Sequence, residues 1–229
     1  IAYLKENVSY KSLMTLDLAN VKSRPQELAK LRVEDVNLSW VRPNQIILAE
    51  KSSADTISSV WSFDIKLKKL SLAQEGLGLV STRNSTSPNA GLVFSASRSK
   101  RGGALSLADT AGNILRRLRI VTLPSKCVFD GETASSGSRL TATKTTDVLY
   151  CGIPRDADKF SGSKLPDDYE KRALFTRDDI YKIDLSLGNA AVMFDETSQT
   201  LDISNLKIFN QSLFFINRFD QKVYAVSLK

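Results

Sequence analysis

The chain contains no histidine. Imidazole is the side chain that changes charge near neutral pH and the commonest zinc ligand. Its absence excludes Ser-His-Asp hydrolysis, Cys-His chemistry, histidine-ligated zinc and histidine proton shuttles. Cysteine is nearly absent: Cys127 and Cys151 stand 24 positions apart, and no C-x-x-C pair supports a zinc ribbon or a thioredoxin-type motif. With 6 prolines and 11 glycines in 229 residues, collagen and Pro/Gly-rich disorder are excluded. No apolar run reaches the about 18 residues of a membrane-spanning helix, and stretches such as 213-LFFI-216 are strand-sized. There is no signal-peptide pattern. The chain begins at Ile1 rather than Met, so a removed leader, anchor or further domain is expected ahead of it.

What is present is ordinary for a soluble globular chain: 42% hydrophobic and 25% charged residues. The length suits one or two domains. Net charge is +7 with a pI near 9.4, a balance compatible with nucleic acid, an anionic membrane or an acidic glycan as partner. The charges are interspersed, however, and the densest basic runs are only 116-RRLR-119 and 98-RSKR-101. A solvated surface explains them, and specific nucleic-acid binding is not expected.

One unit recurs: an alternating apolar segment ending in Asp, a turn, then another short apolar segment. The copies are 13-LMTLDLANV, 60-VWSFDIKLK, 105-LSLADTAGN and 180-IYKIDLSLGN, with a weaker one at 223-VYAVSL. Asp17, Asp64, Asp109, Asp184 and Ser227 follow one another at intervals of 47, 45, 75 and 43 residues. Three of these intervals match a four-stranded propeller blade of about 40–50 residues. The long one holds an insertion. The runs between are short, β-branched or aromatic, and bounded by Asn, Asp, Gly, Pro and Ser, which is the signature of strands and hairpins. The best helix candidates are 25-PQELAKL-31 and 167-DDYEKRAL-174; the former reads instead as an outer strand.

These patterns predict an all-β fold, a β-propeller of four-stranded blades forming one domain over residues 1–229. The five blades fall near 1–32, 33–78, 79–121, 122–197 and 198–229, with an insertion at 154–179. A single blade cannot hide both its faces, and stacking blades around an axis does so. Trp40, Trp61, Phe63, Phe94, Tyr181, Phe194, Phe214, Phe215 and Tyr224 are accordingly expected between blades. The first unit lacks an innermost strand and the last an outermost one. One preceding segment, in this gene or on a separate chain, would supply both. The full ring is then expected to hold five to seven blades.

Three stretches carry a resemblance: Lys126–Cys127; Tyr150–Cys151–Gly152 with Pro154; and Phe215, Asn217, Arg218 and Asp220. They resemble an extracytoplasmic propeller family of Parcubacteria-type candidate-phyla bacteria, over roughly the C-terminal half. The N-terminal half is similar only to generic TolB-like or WD-type repeats. The resemblance implies an N-terminal membrane anchor with the propeller outside the cytoplasm, and no known catalysis. The cysteines agree with it. Cys127 lies in an inner-strand candidate and Cys151 in the next strand; antiparallel neighbours bring facing Cβ atoms to about 4.5–5.5 Å, close to disulfide range. A Cys127–Cys151 disulfide is expected, and with it an oxidising compartment.

The insertion is the best candidate for a contact with a partner, since long loops in compact folds usually carry function. Arg155, Asp156, Asp158, Lys159, Asp167, Asp168, Tyr169 and Arg172 are the partner-binding candidates. Asp156, Asp158 and Gly162 faintly suggest a calcium loop, but Phe160 and Ser161 occupy the positions where an EF-hand needs Asp or Asn and then Gly. The repeated Asp17, Asp64, Asp109 and Asp184 precede turns, where a carboxylate can accept backbone N–H groups. Neither a catalytic residue nor a cofactor or metal site is expected, and 101-RGGALS-106 lacks the phosphate-loop pattern. The sequon-like Asn7, Asn37, Asn84 and Asn210 matter only in a glycosylating host.

The functional expectation is a non-catalytic binding or scaffold module for a protein or cell-surface polymer. Two alternatives stay open. One is a histidine-independent glycan hydrolase or lyase using carboxylates at the central opening. The other is a basic module for an anionic polymer.

Overall fold

The computed structural model describes residues 1–19, 22–33, 35–83, 90–109, 111–130, 148–195 and 198–228. The sequon at Asn84, most of the turn at 87–91 and the connection 131–146 lie outside them. Five antiparallel sheets follow one another along the chain. The first holds β1 (Ala2–Glu6), β2 (Lys11–Thr15) and β3 (Gln26–Leu31). The second runs β4 (Val36–Arg42), β5 (Gln45–Glu50), β6 (Ile57–Asp64) and β7 (Lys69–Leu77). The third runs β8 (Val80–Arg83), β9 (Ala90–Ala96), β10 (Gly103–Asp109) and β11 (Ile114–Arg117). The fourth runs β12 (Cys127–Phe129), β13 (Val148–Pro154), β14 (Asp178–Asp184) and β15 (Ala190–Phe194). The fifth holds β16 (Ile203–Phe209), β17 (Ser212–Asn217) and β18 (Val223–Ser227).

Each sheet is a simple meander, with every strand paired to its sequence neighbours. Among the described residues the first sheet lacks an equivalent of β4 and the fifth an equivalent of β7. Residues 25–31, ambiguous between helix and strand, form the outer strand β3.

Central strands such as β5 and β13 are apolar on both faces because both faces are covered. In β5, Ile46 and Leu48 pack with Leu13, Leu28 and Leu31 of the first sheet, while Ile47 between them packs with Leu79, Val93 and Ala108 on the third-sheet side. β13 divides the same way. Leu149 and Cys151 join Leu92, Phe94 and Leu105; Tyr150 joins Ile203, Leu206, Leu213 and Phe215. Four cores thus alternate with five sheets. Burying one such Leu or Phe contributes about 1.5–3 kcal/mol.

Two aromatics depart from the expected interblade positions. Trp40 is 43% exposed. Phe214 is half-buried and meets Phe209 edge-on at 6.5 Å, on the face of β17 opposite Leu213 and Phe215. Among the described residues no sheet follows the fifth, so that face has no neighbour to cover it.

The repeated Asp has a local role. Asp17 Oδ1 accepts from Ala19 N at 2.9 Å and Asp64 Oδ1 from Leu67 N at 2.9 Å. Asp109 Oδ1 takes the N–H groups of Ala111 and Asn113, both at 2.8 Å. Asp184 Oδ1 takes those of Ser186 and Leu187. The Asn113 amide holds the Asp109 carboxyl below the ordinary range, and the Ser186 hydroxyl does so for Asp184. A second feature travels with the repeat. The third and fourth strands slip register between Leu13 and Met14, Val60 and Trp61, and Ile180 and Tyr181, each time four and three residues before the Asp. Such a bulge sharpens strand twist.

Cys127 and Cys151 sit directly opposite each other on β12 and β13 and form a disulfide, with Cα atoms 4.1 Å apart. The bond closes the 24-residue separation that contains the 131–146 connection. On the chain-entropy model, replacing both cysteines by Ser is expected to cost about 3 kcal/mol. For a chain of this size that lowers the melting temperature by about 6–12 °C, which calorimetry of the parent and the double variant measures.

Candidate functional site

The insertion between β13 and β14 is folded, not a structureless loop. It carries α1 (Ala157–Gly162) and α2 (Asp167–Glu170). Both helices are too short to be stable alone and are fixed by contacts with the sheets. Asp156 caps α1 by accepting from Lys159 N at 2.8 Å. Phe160, Leu165, Tyr169 and Leu174 sink into the core between the third and fourth sheets. Two glycines of the third-sheet region allow the approach. A Cβ on Gly102 would lie 2.6 Å from Ser161 O, and one on Gly78 would lie 2.6 Å from Ala96 Cβ and 3.1 Å from Leu165 O. Both have positive φ, which other residues adopt at a cost.

Polar tethers then tie the insertion to sheets other than its own. Asp167 reaches the second sheet, accepting from Ala54 N at 2.7 Å and Ser53 Oγ at 3.0 Å. Burial raises its carboxyl, and the Ala54, Ser53 and Lys171 donors outweigh that and hold it below the ordinary range. Lys164 pairs with Asp55, which Lys100 also approaches at 3.2 Å. On the third-sheet side, Gly102 N donates to Ser163 O at 2.8 Å and Arg101 to Gly162 O at 2.7 Å. On the fifth-sheet side, Arg172 donates to Gln221 Oε1 at 2.9 Å and Tyr169 OH to Ile203 O at 3.1 Å.

The deepest tether is ionic. Lys126 is fully buried, and its ammonium donates to Thr176 Oγ1 at 2.6 Å, Asp178 Oδ2 at 2.5 Å and Asp202 Oδ1 at 2.8 Å. Arg218 completes the cluster. It donates to Asp202 Oδ2 at 2.8 Å, Leu174 O at 3.1 Å and Tyr169 O at 2.5 Å, and stacks 3.7 Å over the Tyr169 ring. Ile203 N donates to Asp178 Oδ2 and Asp202 N to Asn217 Oδ1. Two cations thus meet two carboxylates. Burial pushes the Asp178 carboxyl above its ordinary range, against the pull of Lys126. Burial also raises the Tyr169 phenol, with the Asp202 charge adding to it.

The eight partner-binding candidates therefore divide. Arg155, Asp156, Asp158, Lys159 and Arg172 are exposed; Arg155 pairs with Asp179 at 2.5 Å. Asp167 and Tyr169 are 6% exposed and are internal anchors, out of a partner's reach. Asp168 is spent on the insertion's own backbone, accepting from Lys164 N at 2.8 Å.

Under the insertion, the first strands of successive sheets face two cavities. The larger, about 530 Å³, is lined by Asp35, Asn37 and Ser39 on or beside β4, by Glu50, Lys51 and Ser52, by Val80 and Ser81 of β8, by Lys11, and by Glu170 of α2. The smaller, about 330 Å³, shares Val80 and Glu170 and adds Tyr169, Arg172, Arg218 and Asn205. Burial, with Asp167 beside it, pushes the Glu170 carboxyl up. Sequence reasoning missed Asp35, Glu50 and Lys51, which share no motif, and placed Glu170 only as one of the insertion's many charges.

Lys126→Met is expected to leave a buried carboxylate unmatched and to cost about 3–5 kcal/mol in urea unfolding. Adding Asp178→Asn removes the unmatched charge and is expected to recover much of that loss. A neutral single variant would remove the cluster from the account of stability.

No protein-family model and no curated protein matches the chain. Solved structures do. The uncharacterized protein lmo1340 from Listeria monocytogenes EGD-e superposes with a TM-score of 0.57 at 12% identity, over 98% of this chain and 57% of its own. An oligogalacturonate lyase in complex with manganese gives 0.56 at 10% identity, over 96% and 55%. TolB from Acinetobacter baumannii gives 0.50 at 9% identity, over 98% and 50%. The chain thus spans about half the length of each. At these identities the likeness shows the fold alone, and with five meander sheets stacked in succession it establishes the chain as a β-propeller.

Proposed function

We propose that the protein is a non-catalytic propeller scaffold outside the cytoplasm that presents the outer face of its insertion to a protein or glycan partner. The observation that carries this reading is the contrast within the insertion. Its inner side is fixed by buried contacts, while Arg155, Asp158, Lys159, Lys171 and Arg177 stand exposed on the outside. A rigid support beneath charged, solvent-facing side chains suits recognition. The Cys127–Cys151 disulfide supports an oxidising compartment. Among the described residues no helix is long and apolar enough to cross a membrane. The resemblance to the Parcubacteria-type family adds an anchor ahead of Ile1. On the same reading, one further segment would pair with β18 and with β1.

One observation favours a second reading, an enzyme acting on glycans: Asp35, Glu50 and Glu170 line one cavity, and the Glu170 carboxyl is raised. Glu50, however, already accepts from Ser59 N at 2.7 Å.

A photo-crosslinker placed at Lys159 is expected to capture a partner from cell-envelope extract. Charge reversal at Asp158 and Arg177 should abolish that capture, and a crosslinker at Lys69 on β7 should give none. Equal capture from both positions contradicts the reading. Turnover of an oligosaccharide that is lost in Glu170→Gln supports the second reading instead.

A further inference from the structure

The larger cavity holds charge of both signs that the fold does not consume. Lys11 approaches Glu6 at 3.3 Å. Among the described residues, Asp35, Lys51 and Glu170 enter no ion pair, and Lys51 stands near enough to Glu170 to pull its carboxyl down against the effect of burial. Two serines of the same wall, Ser52 and Ser81, have buried hydroxyls with no hydrogen-bond partner among the described residues, and Ser52 is only 9% exposed. Of the five buried side-chain atoms left without a partner among the described residues, two stand in this one wall, the others being Trp61 Nε1, Gln74 Oε1 and Asp178 Oδ1; an orphaned hydroxyl is costly to keep. Opposite charges and idle hydroxyls together in one concavity describe a site whose complement is missing.

The chemistry of the wall selects the complement. A volume of about 530 Å³ falls within the roughly 300–1,000 Å³ of small-ligand sites. A neutral sugar would want an aromatic ring to stack on, and the wall contains none among the described residues. A purely anionic ligand would face Asp35 and Glu170. A ligand with an ammonium at one end, a carboxylate at the other and amides between matches every idle group. We propose that this cavity binds a short zwitterionic peptide, with Asp35 and Glu170 receiving its amino terminus, Lys51 its carboxylate, and Ser52 and Ser81 its amides. This inference stands independently of the outer-face reading, since the site lies beneath the insertion and uses none of the exposed charges named there.

Isothermal titration of the intact protein with trialanine tests it. Free trialanine is expected to bind, and N-acetyl-trialanine amide and cellobiose are not. Lys51→Met and Glu170→Gln are each expected to weaken trialanine by about tenfold or more, the effect of losing one charge-assisted hydrogen bond. Glu170 is the last residue of α2 and takes no part in the tethers that hold the insertion, so the Gln variant is expected to keep the fold, and unchanged melting of both variants separates a lost contact from a damaged protein. Absence of trialanine binding up to about 10 mM, equal binding of the capped peptide, tighter binding of cellobiose, or unaltered affinity in both folded variants overturns the proposal.

Discussion

Lys126 has no access to water, so each proton of its ammonium has to be accepted by the protein. Three acceptors meet that demand, and they come from three places: Thr176 at the end of the insertion, Asp178 at the start of β14, and Asp202 just ahead of β16. Arg218, at the end of β17, then balances the second carboxylate and holds the backbone of the insertion at Tyr169 and Leu174. A buried pair of this kind adds little net stability compared with a well-packed apolar core, yet breaking it on one side is severe. Its consequence here is geometric. It fixes where the insertion sits relative to the fourth and fifth sheets.

From that anchor the insertion extends to the second sheet through Asp167 and to the third-sheet region through Ser161 and Ser163. A segment that belongs to one blade thereby touches three others. It places Glu170 over the concavity between the first strands and leaves Asp158, Lys159 and Lys171 on the outside. The outer face and the cavity are two sides of one rigid element.

The repeat was legible because a blade covered on both faces must be apolar on both, as in 45-QIILAE-50, and because each third strand ends in an Asp that organises the next turn. The cysteines were legible because the register of adjacent antiparallel strands leaves little choice. In the insertion, 167-DDYEKRAL-174 carries a helical signal and its first turn forms α2, whereas the six residues of α1 show no periodicity; both helices are held by partners such as Ala54, which is 113 residues from Asp167. Lys126 looks in sequence like any surface lysine. Only its place beside an apolar strand, and the resemblance that paired it with the Asn217–Arg218 stretch, marked it. The cavity was invisible because its charges come from three segments of the chain that meet only in the folded protein. Size alone points Trp40 and Phe214 to the core; it says nothing about whether a neighbouring sheet covers the face of β17 that carries Phe214, or whether Trp40, near the end of β4, reaches between two sheets.

The central claim is that the insertion is as rigid as the blades beneath it, and that Lys126 makes it so. Native-state hydrogen exchange reads this directly, because an amide exchanges only when its local structure opens. The account predicts that the amides of Gly102, Lys171 and Leu174, which bond to or within the insertion, exchange as slowly as those of β13 and β14. It further predicts that Lys126→Met releases the insertion amides ahead of the strands. Rapid exchange across the insertion in the parent protein, or protection unchanged by the substitution, would contradict it.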